Sequence, residues 1–142
     1  MYYLWDNYFS DVPRRNFVLI KFGRNATRQL GSITWARKQT RIKSIMQKKD
    51  LYTIAQAQDD SRITVITITR IFQNVRIPRY VVDATIAHEL VHYTHGFSSP
   101  HIQYHSHPHQ GGIVRKELEK RGLGGLHTNA RRWLKEHWND YR

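Results

Sequence analysis

The sequence contains no cysteine among its 142 residues. That absence excludes a disulfide framework, a zinc ribbon built on thiolates and a cysteine nucleophile. Any metal site in this chain must therefore use histidine, aspartate or glutamate side chains. Long apolar runs are also missing, so no segment reaches the length of a transmembrane helix. The first six residues lack the basic-then-apolar order of a signal peptide, and we expect a soluble, cytoplasmic protein.

Acidic residues are scarce, since 11 Asp and Glu stand against 23 Lys and Arg, which gives a formal net charge of +12. Such an excess favours a polyanionic partner, with nucleic acid ahead of a membrane surface. Paired basic residues scattered along the chain fit a charged face on a folded body better than a disordered arm. The pairs are Arg14-Arg15, Arg37-Lys38, Lys48-Lys49, Arg115-Lys116, Lys120-Arg121 and Arg131-Arg132. We expect DNA, single- or double-stranded, as a partner, and association with the nucleoid; a chain that is simply basic is the alternative.

Two of the nine histidines stand in the pattern His88-Glu89-Leu90-Val91-His92. On an α-helix this spacing places His88 and His92 on one face, one turn apart, so both can bind the same ion through ring nitrogens. Glu89 lies beside the first of them, in position to take a proton from a metal-bound water. Chance occurrence in a histidine-rich chain is the alternative, but chance does not require a helix around the motif.

The residues around the motif predict a helix over 79–95. Pro78 suits its first turn, where a missing N–H group costs nothing, and Gly96 is a good residue to end it. Apolar residues occupy nearly every face, as expected for a buried active-site helix. The two histidines of the motif share a face with His95, and all three could instead be core residues satisfied by hydrogen bonds. Glu89 argues against that alternative, because a buried carboxylate without a role is costly.

The remaining patterns predict a single α+β domain over residues 1–142. Strands are predicted at 17–22, 32–36 and 63–69, and helices at 2–10, from Pro108 to Gly122, and from a Thr128 cap onward. We expect a small three- or four-stranded, mainly antiparallel sheet packed against the helix of the motif. The segment from 37 to 60 is ambiguous apart from a loop predicted at 47–50. In the last helix, the expected buried stripe is Trp133, Leu134, His137, Trp138 and Tyr141.

A catalytic zinc ion needs a third protein ligand and one open position for water. The third ligand must come from beyond the turn at Gly96, since one helix cannot wrap the ion. The candidates are His101, His105, His107, His109 and Glu117. Spacing alone leaves all of them open.

Over most of its length the sequence resembles the SprT-like zinc metallopeptidase family. The similar segments are Leu4-Trp5-Asp6-Asn7-Tyr8-Phe9, Val18-Leu19-Ile20-Lys21-Phe22, Gly31-Ser32-Ile33 and the proline-started helix with His88-Glu89-Leu90-Val91-His92-Tyr93. The family's third ligand is a histidine at the start of the next helix, in a His-Gly-x-x-Phe pattern. The best match is His109-Gln110-Gly111-Gly112-Ile113, where Gln110 replaces the glycine and Ile113 the aromatic residue. The resemblance therefore implies His109 as the third ligand, with His105 and His107 as rivals.

This resemblance implies a zincin-like SprT-type fold, here as a minimal protease domain without a zinc ribbon. It also implies one catalytic Zn²⁺ on His88, His92 and His109. Glu89 would act as general base for attack of the zinc-bound water on a peptide carbonyl. The family includes proteases that act on proteins bound or crosslinked to DNA, and the positive charge agrees with such a role. We expect a monomer with a protein or peptide substrate and no membrane partner.

Further expectations concern the carbonyl donor, the strand that aligns the substrate and two alternative functions. Tyr104 and His105 are candidates for the donor that polarises the carbonyl oxygen, and the strand at 63–69 is a candidate edge for aligning a substrate peptide. A gluzincin-type zinc peptidase would instead use Glu117 as its third ligand. A basic nucleic-acid-binding module would hold a structural zinc with a closed fourth position and would not hydrolyse peptides.

Overall fold

The computed structural model describes residues 1–37 and 60–142, and the loop predicted at 47–50 lies outside these ranges. The described chain is an α+β fold, as expected. Its helices are α1 (Tyr2–Tyr8), α2 (Arg79–Thr94), α3 (Ile113–Lys120) and α4 (Gly124–His137), and its strands are β1 (Val18–Phe22), β2 (Gly31–Trp35) and β3 (Thr64–Ile68). Short 3-10 helices span Arg70–Gln73, Gln110–Gly112 and Trp138–Asp140. Within the described ranges, no helix is both long and apolar enough to cross a bilayer.

β3 is the central strand of the described sheet, whose order is β1-β3-β2. It pairs in parallel with β1 and antiparallel with β2, so the sheet is mixed and the expected antiparallel pairing holds for one of its two strand pairs. β-Branched residues buried on both faces of β3 favour this central position, and Val65 and Ile66 are only 2% and 0% exposed. The hypothesis that the strand at 63–69 is a substrate-aligning edge is therefore wrong. β2 is the outer strand on that side of β3 among the described residues.

The helix of the motif, α2, ends within one residue of its predicted limit, and Pro78 is its N-cap. It is buried by β2 and β3 on one side and by the other three helices elsewhere. Val81, Val91 and Tyr93 are fully buried. Gly96 turns the chain sharply after the helix with a φ of +84°, and a Cβ atom there would lie 2.6 Å from the backbone oxygen of His101.

The two C-terminal helices begin at positions that differ from the predicted ones. α3 begins at Ile113 rather than after Pro108, because Gly111 and Gly112 have φ values of +59° and +69°, which no α-helix accommodates. α4 begins at Gly124, so Thr128 is an exposed residue inside the helix and not its cap. The connection between α3 and α4 is therefore short, and Gly122 within it has a φ of +80°.

The stripe predicted for the last helix is partly wrong. His137 is exposed, and Trp133, Leu134 and Tyr141 are only half-buried. Trp138 is buried, but it lies in the 3-10 helix after α4, where its Nε1 donates to the backbone oxygen of Thr27 at 2.8 Å. This hydrogen bond ties the end of the chain to the loop before β2.

A buried polar network fixes α2 relative to the sheet. The hydroxyl of Tyr93 donates to Oδ1 of Asn16 at 2.6 Å, and Nδ2 of Asn16 donates to Oγ1 of Thr64 at 2.8 Å. Thr64 in turn donates to the backbone oxygen of Ser98 at 2.7 Å, and Ser99 donates to that of Tyr93 at 2.6 Å. Burial raises the pKa of Tyr93 to about 12, so its hydroxyl remains a donor. The network therefore holds the end of α2, β3 and the following loop in one arrangement.

Replacing Tyr93 by Phe removes one hydroxyl from this network and leaves Oδ1 of Asn16 without its donor. A buried acceptor left unsatisfied lowers the free energy of unfolding by about 1–3 kcal/mol, which urea denaturation would measure. Tyr80 is 38% exposed, so Tyr80→Phe is the matched control and should change stability by no more than about 0.5 kcal/mol. Equal stability of the two variants would contradict a structural role for the network.

Candidate metal centre

Three histidines from two parts of the chain meet beside α2. His88 and His92 lie one turn apart on this helix, and His109 is the N-cap of the 3-10 helix that precedes α3. Their ring centroids are separated by 4.6 Å (His88–His92), 4.8 Å (His92–His109) and 5.2 Å (His88–His109). One ring nitrogen of each lies within 4.8 Å of the other two. The three side chains are therefore close enough to bind one metal ion.

The nitrogen separations are compatible with an ion such as Zn²⁺. Nε2 of His88 and Nε2 of His109 are 3.0 Å apart. Two nitrogens bound to a tetrahedral Zn²⁺ at about 2.0–2.1 Å lie roughly 3.4 Å from each other. A small outward shift of either ring would accommodate the ion. Without an ion, the same two atoms can share a hydrogen bond if one ring carries its proton on Nε2.

The protonation of these rings also favours metal binding. Burial, with smaller contributions from His109 and His127, lowers the pKa of His88 to about 4. Burial and the neighbouring histidines lower the pKa of His92 to about 3. Both rings are therefore neutral near pH 7, and a neutral imidazole has the lone pair that a metal requires.

His92 does not have the contacts of an ordinary core histidine. It is 4% exposed, and its Nδ1 is buried without a hydrogen-bond partner among the described residues. Buried polar atoms are normally paired, and an unpaired one points to a missing water, ion or functional role. The alternative in which the motif's histidines are satisfied by hydrogen bonds within the core is therefore disfavoured.

Glu89 is a buried carboxyl group next to the first of these histidines, and its side chain is 4% exposed. Burial alone raises its pKa to about 8. A bound dication nearby would oppose that shift by stabilising the carboxylate. A carboxyl group that gains and loses its proton near neutrality is suited to general acid–base chemistry.

The space that Glu89 occupies depends on Gly31, the first residue of β2. A Cβ atom at this position would lie 2.8 Å from Oε1 of Glu89 and 2.9 Å from Cγ2 of Thr85. The carboxyl group is therefore packed directly against the backbone of the outer strand. In the sequence Gly31 directly precedes the strand predicted at 32–36, and no role in the site was predicted for it. No local sequence pattern indicates this contact, because it joins residues far apart in the chain.

Glu117 belongs to a different cluster and does not join the three histidines. Its Oε1 accepts a hydrogen bond from Nε of Arg121 at 3.0 Å, and its Oε2 lies 3.9 Å from Nε2 of His95. Arg121 also pairs with the carboxylate of Asp11 at 2.6 Å. Because these contacts engage Glu117 and it is not a member of the three-histidine group, it is disfavoured as the third ligand.

The other candidates from the loop after α2 also lie elsewhere. His101 hydrogen-bonds to a backbone oxygen of the N-terminal segment at 2.8 Å, and the ring of His105 packs 5.4 Å from that of His95. His107 is exposed. Tyr104 is 81% exposed, and neither it nor His105 lines the cleft beside the metal-binding group. The structure thus gives no support to these two residues as carbonyl donors.

The three histidines open on a cleft of about 750 Å³. Residues of α2 form its base, residues 30–34 form one wall, and a face of α4 forms another. The residues of that face follow helical spacing, and they are His127, Ala130, Arg131 and Leu134. The predicted helix start at Thr128 left His127 outside the helix. That the other three residues line a cleft depends on how α4 packs, which no local pattern indicates.

No protein-family model, curated protein or solved structure matches this chain. The resemblance to SprT-like peptidases therefore rests on the motifs of the sequence, and the activity has to be argued from the geometry of the site.

Replacing His88, His92 or His109 by Ala should abolish stoichiometric zinc binding. Each change would remove one of the three candidate ligands, so the loss of affinity should exceed the roughly 10–100-fold that accompanies loss of an outer-shell partner. Competition with a chromogenic chelator would measure it. His107→Ala and Glu117→Ala are the controls and should retain zinc. Zinc kept in His109→Ala and lost in Glu117→Ala would contradict the assignment.

Proposed function

We propose that this chain is a zinc-dependent metalloendopeptidase. The observation that carries the proposal is the combination of a three-histidine group with the buried carboxyl group of Glu89 at the base of a cleft. A catalytic zinc site has three protein ligands and an open position, whereas a structural site is usually closed by four. Among the residues that the structure describes, no fourth His, Asp or Glu belongs to the group. This arrangement favours hydrolysis over a nucleic-acid-binding module with a structural zinc.

In the proposed reaction, the three histidines would bind the metal ion and Glu89 would transfer the proton. Zinc, held by His88, His92 and His109, would supply the Lewis acid that polarises the substrate carbonyl and acidifies the attacking water. Glu89 accepts the proton of that water and returns it to the leaving amine. Burial raises the pKa of Glu89 and a bound dication would oppose that shift, so the carboxyl group could take up and release a proton near neutral pH.

The substrate is proposed to lie along β2. Residues 30–34 line the cleft, and β2 is the outer strand of the described sheet on that side. An extended peptide beside an outer strand can be aligned by backbone hydrogen bonds, which do not depend on its sequence. We therefore propose that β2, and not the segment at 63–69, aligns the substrate peptide.

Glu89→Gln tests the proposed base. The amide has the same shape as the carboxyl group but cannot accept the proton, so the variant should fold and bind zinc normally. Its rate of cleavage of a quenched fluorescent casein should fall by about 10²–10⁴-fold, the usual contribution of general acid–base catalysis. Removal of zinc by a chelator should abolish activity of the parent protein, and added zinc should restore it. Undiminished cleavage by Glu89→Gln would contradict the mechanism.

Gly31→Ala tests whether the outer strand positions this base. The added methyl group would displace the carboxyl group of Glu89, and we expect kcat to fall about tenfold or more with a smaller change in KM. A Cβ atom at Gly125 meets no atom within 4 Å, so Gly125→Ala is the matched control and should retain full activity. If Gly31→Ala were as active as the control, the contact between β2 and Glu89 would have no part in catalysis.

A further inference from the structure

We propose that the cleft selects peptide segments carrying an acidic side chain, which Arg28 and Arg131 bind on one side of the metal-binding group. The proposal rests on the proposed peptidase function and names the class of substrate that its cleft would prefer. Both arginines line the cleft and both are exposed.

One hydrogen bond links the two segments that carry these arginines. Arg131 lies on the face of α4 that forms a wall of the cleft, and Trp138 follows it by seven residues, about two helical turns. Trp138 holds the backbone oxygen of Thr27, which directly precedes Arg28. The loop that carries Arg28 is therefore fastened to the end of the element that carries Arg131.

Neither arginine is neutralised by a partner that the structure describes. Some exposed arginines of the described chain pair with carboxylates, as Arg115 does with Glu119 at 3.7 Å and Arg79 with Asp83 at 3.9 Å. Within residues 1–37 and 60–142, no carboxylate forms an ion pair with Arg28 or Arg131. As far as the described residues are concerned, their guanidinium groups are therefore available to bind an anion from solution.

The local field in this part of the cleft is positive. Besides burial, Arg131 and Arg115 lower the pKa of His127, and the opposing effect of Glu119 is smaller. Glu89 is the single acidic residue among the described residues that line the cleft, and it lies buried at the base. Along the described rim of the cleft, a substrate carboxylate would therefore meet arginine side chains and no acidic side chain.

Complementary charge at the rim of a cleft favours one class of partner and disfavours another. An acidic side chain a few residues from the scissile bond would be bound by the arginines, and a basic one would be repelled. Because both arginines are exposed, the gain should be modest, roughly three- to tenfold in affinity, and it should shrink as salt is raised.

The test uses zinc-loaded Glu89→Gln, which should bind substrates without cleaving them. Labelled peptides carry one Glu moved stepwise along an otherwise neutral sequence, and each is paired with the same peptide bearing Gln. Fluorescence anisotropy should show the Glu peptide binding about three- to tenfold more tightly at one or two positions. The preference should vanish when Arg28→Gln and Arg131→Gln are added together. It should persist with Arg132→Gln, a control on the other side of α4, where Arg132 lies beside Tyr80.

The outcomes separate the inference from the proposed function. Equal binding of Glu and Gln peptides at every position, or a preference that survives the double change, would overturn the inference. Cleavage of neutral peptides by the parent protein would leave the peptidase function intact in that case. If the protein bound acidic peptides selectively but cleaved no peptide, the inference would be supported and the proposed peptidase function would be wrong. Binding of a labelled single-stranded oligonucleotide should also be measured. If that binding requires the two arginines and binding of the acidic peptides does not, the surface binds nucleic acid and the inference is wrong.

Discussion

The burial of α2 between the sheet and the other helices is the constraint on which the site depends. Val81, Leu90, Val91 and Tyr93 are at most 1% exposed, and burying each such side chain contributes about 1.5–3 kcal/mol. A helix covered on nearly all sides has little room for polar groups, yet it carries His88, Glu89 and His92 at the base of the cleft. The apolar contacts fix the position of α2, and this in turn fixes where its polar side chains lie in the cleft.

That arrangement removes water from groups that would ordinarily keep it. The pKa of Glu89 rises and those of His88 and His92 fall, so each group is driven towards its neutral form. His92 lacks a hydrogen-bond partner for Nδ1 among the described residues. A dication would offset the cost of burying these groups, because it binds neutral imidazoles and stabilises a nearby carboxylate. Metal binding should consequently stabilise the folded chain, by an amount that increases with the free metal concentration.

The sequence was sufficient to predict the elements whose signals are local. The β-branched run became β3, and the segment between Pro78 and Gly96 became α2. His109, implied by the resemblance, lies with the two histidines of the motif. Strand order could not be read from a pattern, because pairing depends on which surfaces remain to be covered. The close approach of Gly31 to Glu89 and the wall at His127 likewise depend on packing between distant segments.

The excess of basic residues led to the expectation of a nucleic-acid partner, but not every basic side chain contributes to a positive surface. Arg121, a member of one basic pair, is 8% exposed at its side chain and is bound to Asp11 and Glu117. It contributes to the packing of α3 against the N-terminal segment, so net charge alone overstates the positive surface. A role on DNA-bound proteins stays a prediction, whereas the unpaired arginines beside the cleft give the charge a defined place.

A crystal structure of the zinc-loaded protein, with anomalous scattering measured at the zinc edge, would show directly whether the three histidines hold the ion. We expect one strong peak in contact with His88, His92 and His109, with a fourth position open to the cleft and Glu89 beside it. A peak elsewhere, or a fourth protein side chain closing the site, would contradict a catalytic three-histidine centre.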